Sequence, residues 1–301
     1  MVLQRRIEIG TVDVFYREAG APDAPVLLLP HGYPCSSFQF RHLMPLLADR
    51  WRLIAPDFPG CGYSATPSDF CYDIDGYVDF LECFLARLGI RRYALYLHDF
   101  GSQIGMRLAI RYPQRVVALI IQNGDIYEHR FASQCHGSGN DREAEESAEH
   151  YRQRGSYWRH PSASQPRLAE VVSEHRFKDE FLNEIGPQLA ERIPPDLWKL
   201  HWSLMTPQRC EIACQVIAAL KNDHAWLPRY QAYLRAYRPA ALILWGRHDP
   251  SIPERSAHAY LQDLPKAELH LLDGGHWLLE THLGQVAALL AGFLGRLQQR
   301  F

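Results

Sequence analysis

Short apolar runs alternate with helix-like patterns along the first third and the last quarter of the chain. Continuous apolar runs bounded by turn residues are typical of strands buried on both faces, as in a parallel sheet. In 77–88 the apolar positions recur at close to a 3.6-residue period, which predicts an amphipathic helix that stops at Gly89. Strict alternation in 11–18 predicts instead an antiparallel hairpin at the sheet edge. The predicted parallel strands are 26–29, 51–55, 93–97, 116–121, 240–245 and 267–272.

The pattern changes between about 128 and 229, where polar and charged residues dominate and no strand-like run occurs. A segment of this length is too long for an ordinary loop, so it is interpreted as an inserted helical domain. The sheet pattern then resumes, and 280–297 predicts a closing helix. The prediction is an α/β fold with a mostly parallel central sheet flanked by helices: a core domain of 1–127 and 230–301, interrupted by 128–229.

The composition of the chain excludes several classes of binding partner. The chain has 301 residues, a formal net charge of −2 and 47% hydrophobic residues, which are values of an ordinary globular protein. Near-neutral charge gives no electrostatic case for nucleic acid or an acidic membrane, and no apolar run is long enough to span a bilayer. Seven scattered cysteines and an N-terminus without an apolar signal core favour a cytoplasmic protein with reduced thiols. The expected partner is a small molecule.

The clearest chemical feature is Asp99 in the stretch Leu97-His98-Asp99-Phe100-Gly101, between a predicted strand and a predicted helix. A small residue two positions after a reactive side chain permits the tight turn called a nucleophile elbow. The alternative is that Asp99 is an ordinary helix N-cap, since Asp commonly occupies that position.

Three other stretches favour the catalytic interpretation. His31-Gly32-Tyr33-Pro34 follows an early strand, where its backbone can contribute an oxyanion donor. Asp249 follows a late strand and His276 follows the last one. The chain order nucleophile, acid, histidine, each just past the carboxyl end of a strand, is typical of active sites in open α/β sheets.

With these motifs the chain resembles the α/β-hydrolase superfamily, in its branch with an aspartate nucleophile: epoxide hydrolases and haloalkane or haloacid dehalogenases. The resemblance rests on His31-Gly32-Tyr33-Pro34, 56–64, His98-Asp99-Phe100-Gly101 and Asp273-Gly274-Gly275-His276. It implies that the insertion is the helical cap, or lid, domain of that family. The sequence departs from many relatives at Leu97, where they have Gly.

The resemblance implies a two-step reaction. Asp99 displaces a leaving group from sp³ carbon and forms an alkyl ester, as suits a carboxylate nucleophile. Water activated by His276 then attacks the ester carbonyl, while Asp249 orients the imidazole. The backbone N–H groups of Tyr33 and Phe100 form the oxyanion hole.

The leaving group is inferred from two positions. Haloalkane dehalogenases have Trp after the nucleophile and Asn after His-Gly, and fluoroacetate dehalogenases have Arg after the nucleophile. This chain has Phe100 and Tyr33 there, and Phe has no hydrogen-bond donor. His-Gly-aromatic-Pro is the form usual in epoxide hydrolases, so epoxide opening is the preferred prediction. Its proton donor would come from the insertion: Tyr151 or Tyr157, or one of His150, His160, His175, His201 and His224.

Three other readings stay open: a dehalogenase with an unusual halide site, a biosynthetic enzyme that uses Asp99 and His276 for non-hydrolytic acid–base chemistry, and a non-catalytic receptor. Cys210 and Cys214 share a helical face but lack companion ligands, so they are interpreted as core thiols and no metal or other cofactor is expected. The expected substrate is apolar and uncharged. The sequence leaves the oligomeric state open, a homodimer included.

Overall fold

The central element is an eight-stranded sheet with the order β1-β2-β4-β3-β5-β6-β7-β8. The computed structural model describes residues 1–127, 172–183, 185 and 187–297. From β3 to β8 neighbouring strands are parallel, whereas β2 pairs antiparallel with both β1 and β4. The strands are β1 (Val2–Ile9), β2 (Val12–Ala19), β3 (Val26–Leu28), β4 (Arg52–Pro56), β5 (Tyr93–His98), β6 (Val116–Gln122), β7 (Ala240–Gly246) and β8 (Glu268–Leu272).

The six predicted parallel strands are confirmed to within a residue or two at their ends. The segment 11–18 is confirmed as part of an antiparallel hairpin at the sheet edge, which β1 and β2 form, with β1 as the outermost strand. Most residues of β1 are exposed, and Arg5 and Arg6 break the apolar–polar alternation. An edge strand with little to bury leaves a weak pattern, which explains why the sequence did not reveal it.

Helices cover both faces of the sheet. One face packs against α2, α3, α7 and α8, the other against α1 and α10. The predicted closing helix is in fact two helices, α9 and α10, separated at His282. The α-helices of the described residues are α1 (Met44–Leu47), α2 (Ile74–Arg87), α3 (Phe100–Arg111), α4 (Glu174–Leu182), α5 (Pro195–Ser203), α6 (Pro207–Lys221), α7 (Leu227–Tyr237), α8 (Glu254–Asp263), α9 (Leu278–Thr281) and α10 (Leu283–Leu297).

Between β6 and β7, the described residues form helices and no strand. Helices α4 to α6, called here the helical segment, build a third apolar core around Phe177, Phe181 and Trp198, which also includes Cys35 and Trp277 of the sheet domain. The predicted domain limit between 229 and 230 falls inside α7, and the domain limits stay a prediction. Among the described helices, none combines the length and the hydropathy that a membrane span requires.

The strand order changes direction at β3, whose two neighbours are β4 and β5. In open α/β sheets a crevice forms at such a switch point, beyond the carboxyl ends of the strands. The loop after β3 contains Tyr33, and the turn after β5 contains Asp99. The fold therefore brings the two most informative sequence motifs together at one edge.

Candidate active site

Asp99 occupies a strained turn between β5 and α3. Its backbone angles are φ 49° and ψ −131°, a region that non-glycine residues rarely adopt and that occurs mainly at functional sites. Its side chain makes no N-cap hydrogen bond, so the helix-cap alternative is wrong. Gly101 allows the close approach behind the turn, because a Cβ there would lie 2.6 Å from the carbonyl oxygen of Pro30. Asp99 therefore has the backbone geometry of a nucleophile elbow.

Leu97 fits the turn although many relatives have glycine at this position. Its side chain is fully buried and lies against Gly105 of α3. A Cβ on Gly105 would come within 2.4 Å of Leu97 Cδ2. The missing side chain one turn into the helix thus provides the space that the larger residue needs.

Two backbone N–H groups hold the Asp99 carboxylate. The N–H of Tyr33 donates to Asp99 Oδ1 at 2.6 Å, and the N–H of Phe100 donates to the same carboxylate. Burial opposes ionisation, but the His276 imidazole and these contacts outweigh it and lower the pKa of Asp99 to about 2. Asp99 is therefore a carboxylate at neutral pH, with Oδ1 in the predicted oxyanion hole.

The three predicted triad residues converge. His276 Nε2 lies 3.6 Å from Asp99 Oδ2, and His276 Nδ1 donates to Asp249 Oδ2 at 2.7 Å. Asp249 Oδ1 accepts from the N–H groups of Ser251 and Ile252 at 2.8 and 2.9 Å. Because Nδ1 donates to Asp249, Nε2 is the nitrogen that exchanges its proton: protonated, it stabilises the Asp99 carboxylate, and neutral, it can accept a proton from water.

Asn123, which the sequence did not single out, orients the acid. It follows β6 with φ 40°, and its Nδ2 donates to Asp249 Oδ2 at 2.8 Å. Its amide also bonds the N–H and the carbonyl of Gly246. Asn123 directly follows the apolar run of β6, as the triad residues follow their strands, and this position could have marked it as a site residue.

A chain of hydrogen bonds, called here the relay and not predicted from the sequence, links the loops that hold the site. The N–H of Gly32 donates to Gln39 Oε1, and Gln39 Nε2 donates to His98 Nδ1 at 2.8 Å. His98 Nε2 in turn donates to the carbonyl oxygen of His276, which also accepts from Gln122. Burial and the neighbouring His276 lower the pKa of His98 to about 3, which keeps this relay neutral. The relay fixes the oxyanion loop, the elbow and the His276 loop to one another.

A mostly apolar pocket begins beside the elbow. It is partly open to solvent and is lined by residues of both the sheet domain and the helical segment. Tyr33 and Phe100, the residues next to Asp99 in space and in sequence, contribute to its lining. The apolar residues from the helical segment and the loop that joins α5 to α6 are Phe177, Leu204, Met205, Ile212, Ala213 and Val216.

Of the predicted proton donors from the insertion, three histidines lie among the described residues: His175, His201 and His224. Tyr151, Tyr157, His150 and His160 lie outside the described residues. His175 and His224 are exposed.

His201 lines the pocket but has no proton to offer. Its Nδ1 donates to the carbonyl of Leu197 at 2.6 Å, and its Nε2 lies 3.2 Å from Ser36 Oγ. Burial lowers the pKa of His201 to about 4, so the ring is neutral and its single N–H is already used.

In the part of the chain that the structure describes, no three His, Cys, Asp or Glu side chains form a group that could hold a metal ion. Cys210 and Cys214, both on α6, pack against the third apolar core. This placement agrees with their interpretation as core thiols.

Comparisons with known proteins agree with this geometry. A family model described as alpha/beta hydrolase fold matches residues 25–283. The chain is 31% identical over 282 residues to an uncharacterized hydrolase of Saccharomyces cerevisiae, covering 92% of this chain and 91% of the relative. It is 28% identical over 313 residues to a haloalkane dehalogenase of Bradyrhizobium diazoefficiens, covering 98% and 94%. A solved loop variant of a haloalkane dehalogenase from Bradyrhizobium elkanii shares the fold, with a TM-score of 0.81 at 22% identity over 99% of this chain and 98% of that chain.

Proposed function

Because the chain belongs to the α/β hydrolase fold family, we propose that it is a hydrolase with an aspartate nucleophile that opens epoxides. Asp99 Oδ2 attacks an epoxide carbon and forms an alkyl ester as the carbon–oxygen bond breaks. The electron pair of that bond goes to the epoxide oxygen, which takes up a proton, and a proton of the water that hydrolyses the ester later replaces it. His276 Nε2 then removes a proton from water, which attacks Asp99 Cγ. The ester bond breaks, the diol leaves with the proton from His276, and Asp99 retains the oxygen of the water.

The observation that supports this proposal is that the two carboxylate oxygens of Asp99 have different surroundings. Oδ1 accepts the N–H of Tyr33, whereas Oδ2 faces His276 at 3.6 Å. One oxygen is thereby stabilised where negative charge develops during ester hydrolysis, and the other faces the base that would activate water. A carboxylate held in this way is suited to attack saturated carbon.

Carbon–halogen hydrolysis is the second candidate, and its support is the similarity to the Bradyrhizobium diazoefficiens enzyme. A halide leaving group needs N–H or O–H donors in the pocket. Among the described lining residues, the N–H of His201 is used, and Arg209 donates to the carbonyls of Gly62, Ser64 and Leu204. Phe100 adds no side-chain donor, and the single hydroxyl of Tyr33 is fewer than the two side-chain donors that haloalkane dehalogenases use for halide. These engaged donors favour an epoxide over a halide.

A single turnover in ¹⁸O-water tests the proposal, with styrene oxide as the probe. We expect the peptide that contains Asp99 to gain one ¹⁸O, because water attacks the carbonyl carbon of the aspartyl ester. Product formation with an unlabelled Asp99 would reject the ester and favour non-hydrolytic or direct acid–base chemistry. Binding of the probe without turnover would favour a receptor.

Replacing the nucleophile gives a second test. We expect Asp99→Asn to abolish turnover of styrene oxide while the melting temperature shows that the fold is retained. Undiminished turnover by this variant would contradict the proposal. Bromide release from 1-bromohexane, measured on the wild-type protein, separates the dehalogenase alternative from epoxide opening.

A further inference from the structure

Tyr33 connects the nucleophile with the pocket. Its backbone N–H is 2.6 Å from Asp99 Oδ1, and its side chain lines the pocket that begins there. Its ring packs edge-on against Phe177 of α4, with 5.9 Å between the ring centroids. The main chain of Tyr33 is therefore fixed at the reacting carboxylate, and its phenol belongs to the pocket wall next to it.

The Tyr33 hydroxyl has no hydrogen-bond partner among the described residues. Two neighbouring tyrosines differ in this respect: the hydroxyl of Tyr77 donates to the carbonyl of Pro59, and that of Tyr72 to the carbonyl of Pro67 at 2.7 Å. Tyr33 is only partly buried, so its hydroxyl is free to bond water or a ligand in the pocket. A bound ligand with an acceptor oxygen would accept a hydrogen bond from it.

The other nitrogen and oxygen donors among the described lining side chains are already engaged, and the thiols of Cys35 and Cys61 are weak hydrogen-bond donors. His201 uses its single N–H on Leu197, and Tyr77 uses its hydroxyl on Pro59. Arg209 bonds three backbone carbonyls and the hydroxyl of Thr66. Among the described nitrogen and oxygen donors, the phenol of Tyr33 is the one with a proton available for a substrate.

Resting on the function proposed above, we propose that Tyr33 is the catalytic acid that protonates the leaving epoxide oxygen. As Asp99 Oδ2 bonds to carbon, the electron pair of the breaking carbon–oxygen bond moves to that oxygen, which takes the phenolic proton and leaves tyrosinate. Ester hydrolysis later leaves one proton of the water on the Asp99 carboxyl group. Return of this proton to tyrosinate restores both residues, so epoxide and water are converted to diol without any further reactant.

Electrostatics keep this acid protonated before reaction. Burial, then the charge of Glu180 and the nearby thiols, raise the pKa of Tyr33 well above its usual value of 10. A departing alkoxide is strongly basic and takes up a proton as the carbon–oxygen bond breaks. The phenol therefore gives up its proton only as the carbon–oxygen bond breaks.

The test measures alkylation apart from hydrolysis. His276→Gln blocks ester hydrolysis, so the styrene oxide adduct accumulates on Asp99 and is followed by rapid quenching and intact mass. In this background we expect Tyr33→Phe to slow adduct formation by about 10²- to 10⁴-fold, the usual contribution of a general acid. The residual rate should rise as pH falls, because solvent acid then replaces the phenol.

Tyr72→Phe is the matched control, since it removes a neighbouring hydroxyl that lies outside the pocket lining, and we expect it to leave the adduct rate unchanged. An equal adduct rate with and without the Tyr33 hydroxyl would overturn the assignment of Tyr33 while the ester mechanism stands. Absence of any adduct with Tyr33 intact would overturn the proposed function itself. Equal melting temperatures of the two tyrosine variants establish that both fold.

Discussion

Asp99 and its neighbours form a site in which polar groups have defined partners. The Asp99 carboxylate accepts hydrogen bonds from two backbone N–H groups. The Asp249 carboxylate accepts hydrogen bonds from Asn123, His276 and two further backbone N–H groups. Such arrangements cost little reorganisation during reaction, because the dipoles already point at the developing charge.

Asn123 provides a prediction at the residue scale. Its amide bonds the carboxylate that orients His276, and a hydrogen bond to a charged group contributes about 1.5–3 kcal/mol. We expect Asn123→Gly to slow ester hydrolysis by about 10- to 100-fold and to leave adduct formation on Asp99 nearly unchanged. Measurement of the two single-turnover steps separates these effects.

Glycine is the informative replacement here because it accepts the positive φ of 40° without strain. Asn123→Ala serves as the comparison, since it removes the same amide but adds backbone strain. If hydrolysis is slow with Ala and normal with Gly, backbone strain is the cause and the role assigned to the amide is wrong.

The sequence identified Asp99, Asp249 and His276 because each follows a recognisable apolar run. The contact between Gln39 and His98 could not be predicted, because it depends on the packing that places a side-chain amide between a loop N–H and an imidazole. Contacts between distant segments of the chain are not encoded in local spacing.

At the scale of elements, the start of α3 packs closely against the loop after β3 and against β5. Parallel strands were predictable because their apolar runs are continuous, while β1 was missed because it is mostly exposed. The elbow could be predicted from the small residue after Asp99, but the space that Gly105 provides for Leu97 depends on how helix and strand pack.

Gly101→Ala tests this fit. The added Cβ would lie 2.6 Å from the Pro30 carbonyl oxygen and 3.0 Å from that of His31, so helix and oxyanion loop must separate. We expect a loss of about 1–3 kcal/mol in the free energy of unfolding, as for other overpacked sites, together with a lower kcat. Chemical denaturation and initial rates measure both.

The control is Gly292→Ala in α10, where the nearest atom to the added Cβ is Arg296 Nη1 at 3.7 Å. This exposed helical position should gain about 0.5–1 kcal/mol and keep full activity. If Gly101→Ala is as stable and as active as the wild type, the prediction that a Cβ at this position forces helix and loop apart is wrong.

At the scale of the whole molecule, buried neutral histidines make stability depend on pH. Burial lowers the pKa of His98 to about 3 and that of His201 to about 4, whereas the unfolded chain titrates each near its usual value of 6.5. Between pH 6.5 and these lower values the unfolded state binds more protons, so the free energy of unfolding falls as pH falls.

We expect this fall to amount to about 1.4 kcal/mol per pH unit for each histidine between about pH 6 and about pH 5. Urea denaturation across this range measures it. His98→Gln and His201→Gln should each give a shallower dependence than the wild type. Parallel curves for all three proteins would mean that neither ring resists protonation in the folded state.

The relay from His98 to the carbonyl of His276 has a consequence for how the chain becomes active. Its two ends are 178 residues apart in sequence, and bringing such distant segments together is slow because loop closure costs entropy before contacts repay it. During synthesis the nucleophile leaves the ribosome long before its base, so the first half of the chain holds an aspartate with nothing to activate water beside it. Only when β7 and β8 dock onto β6 do Asp249 and His276 reach the site. On the proposed mechanism, a chain that lacks β8 and the loop after it has no base to hydrolyse the aspartyl ester, so turnover requires the C-terminal strands to be in place.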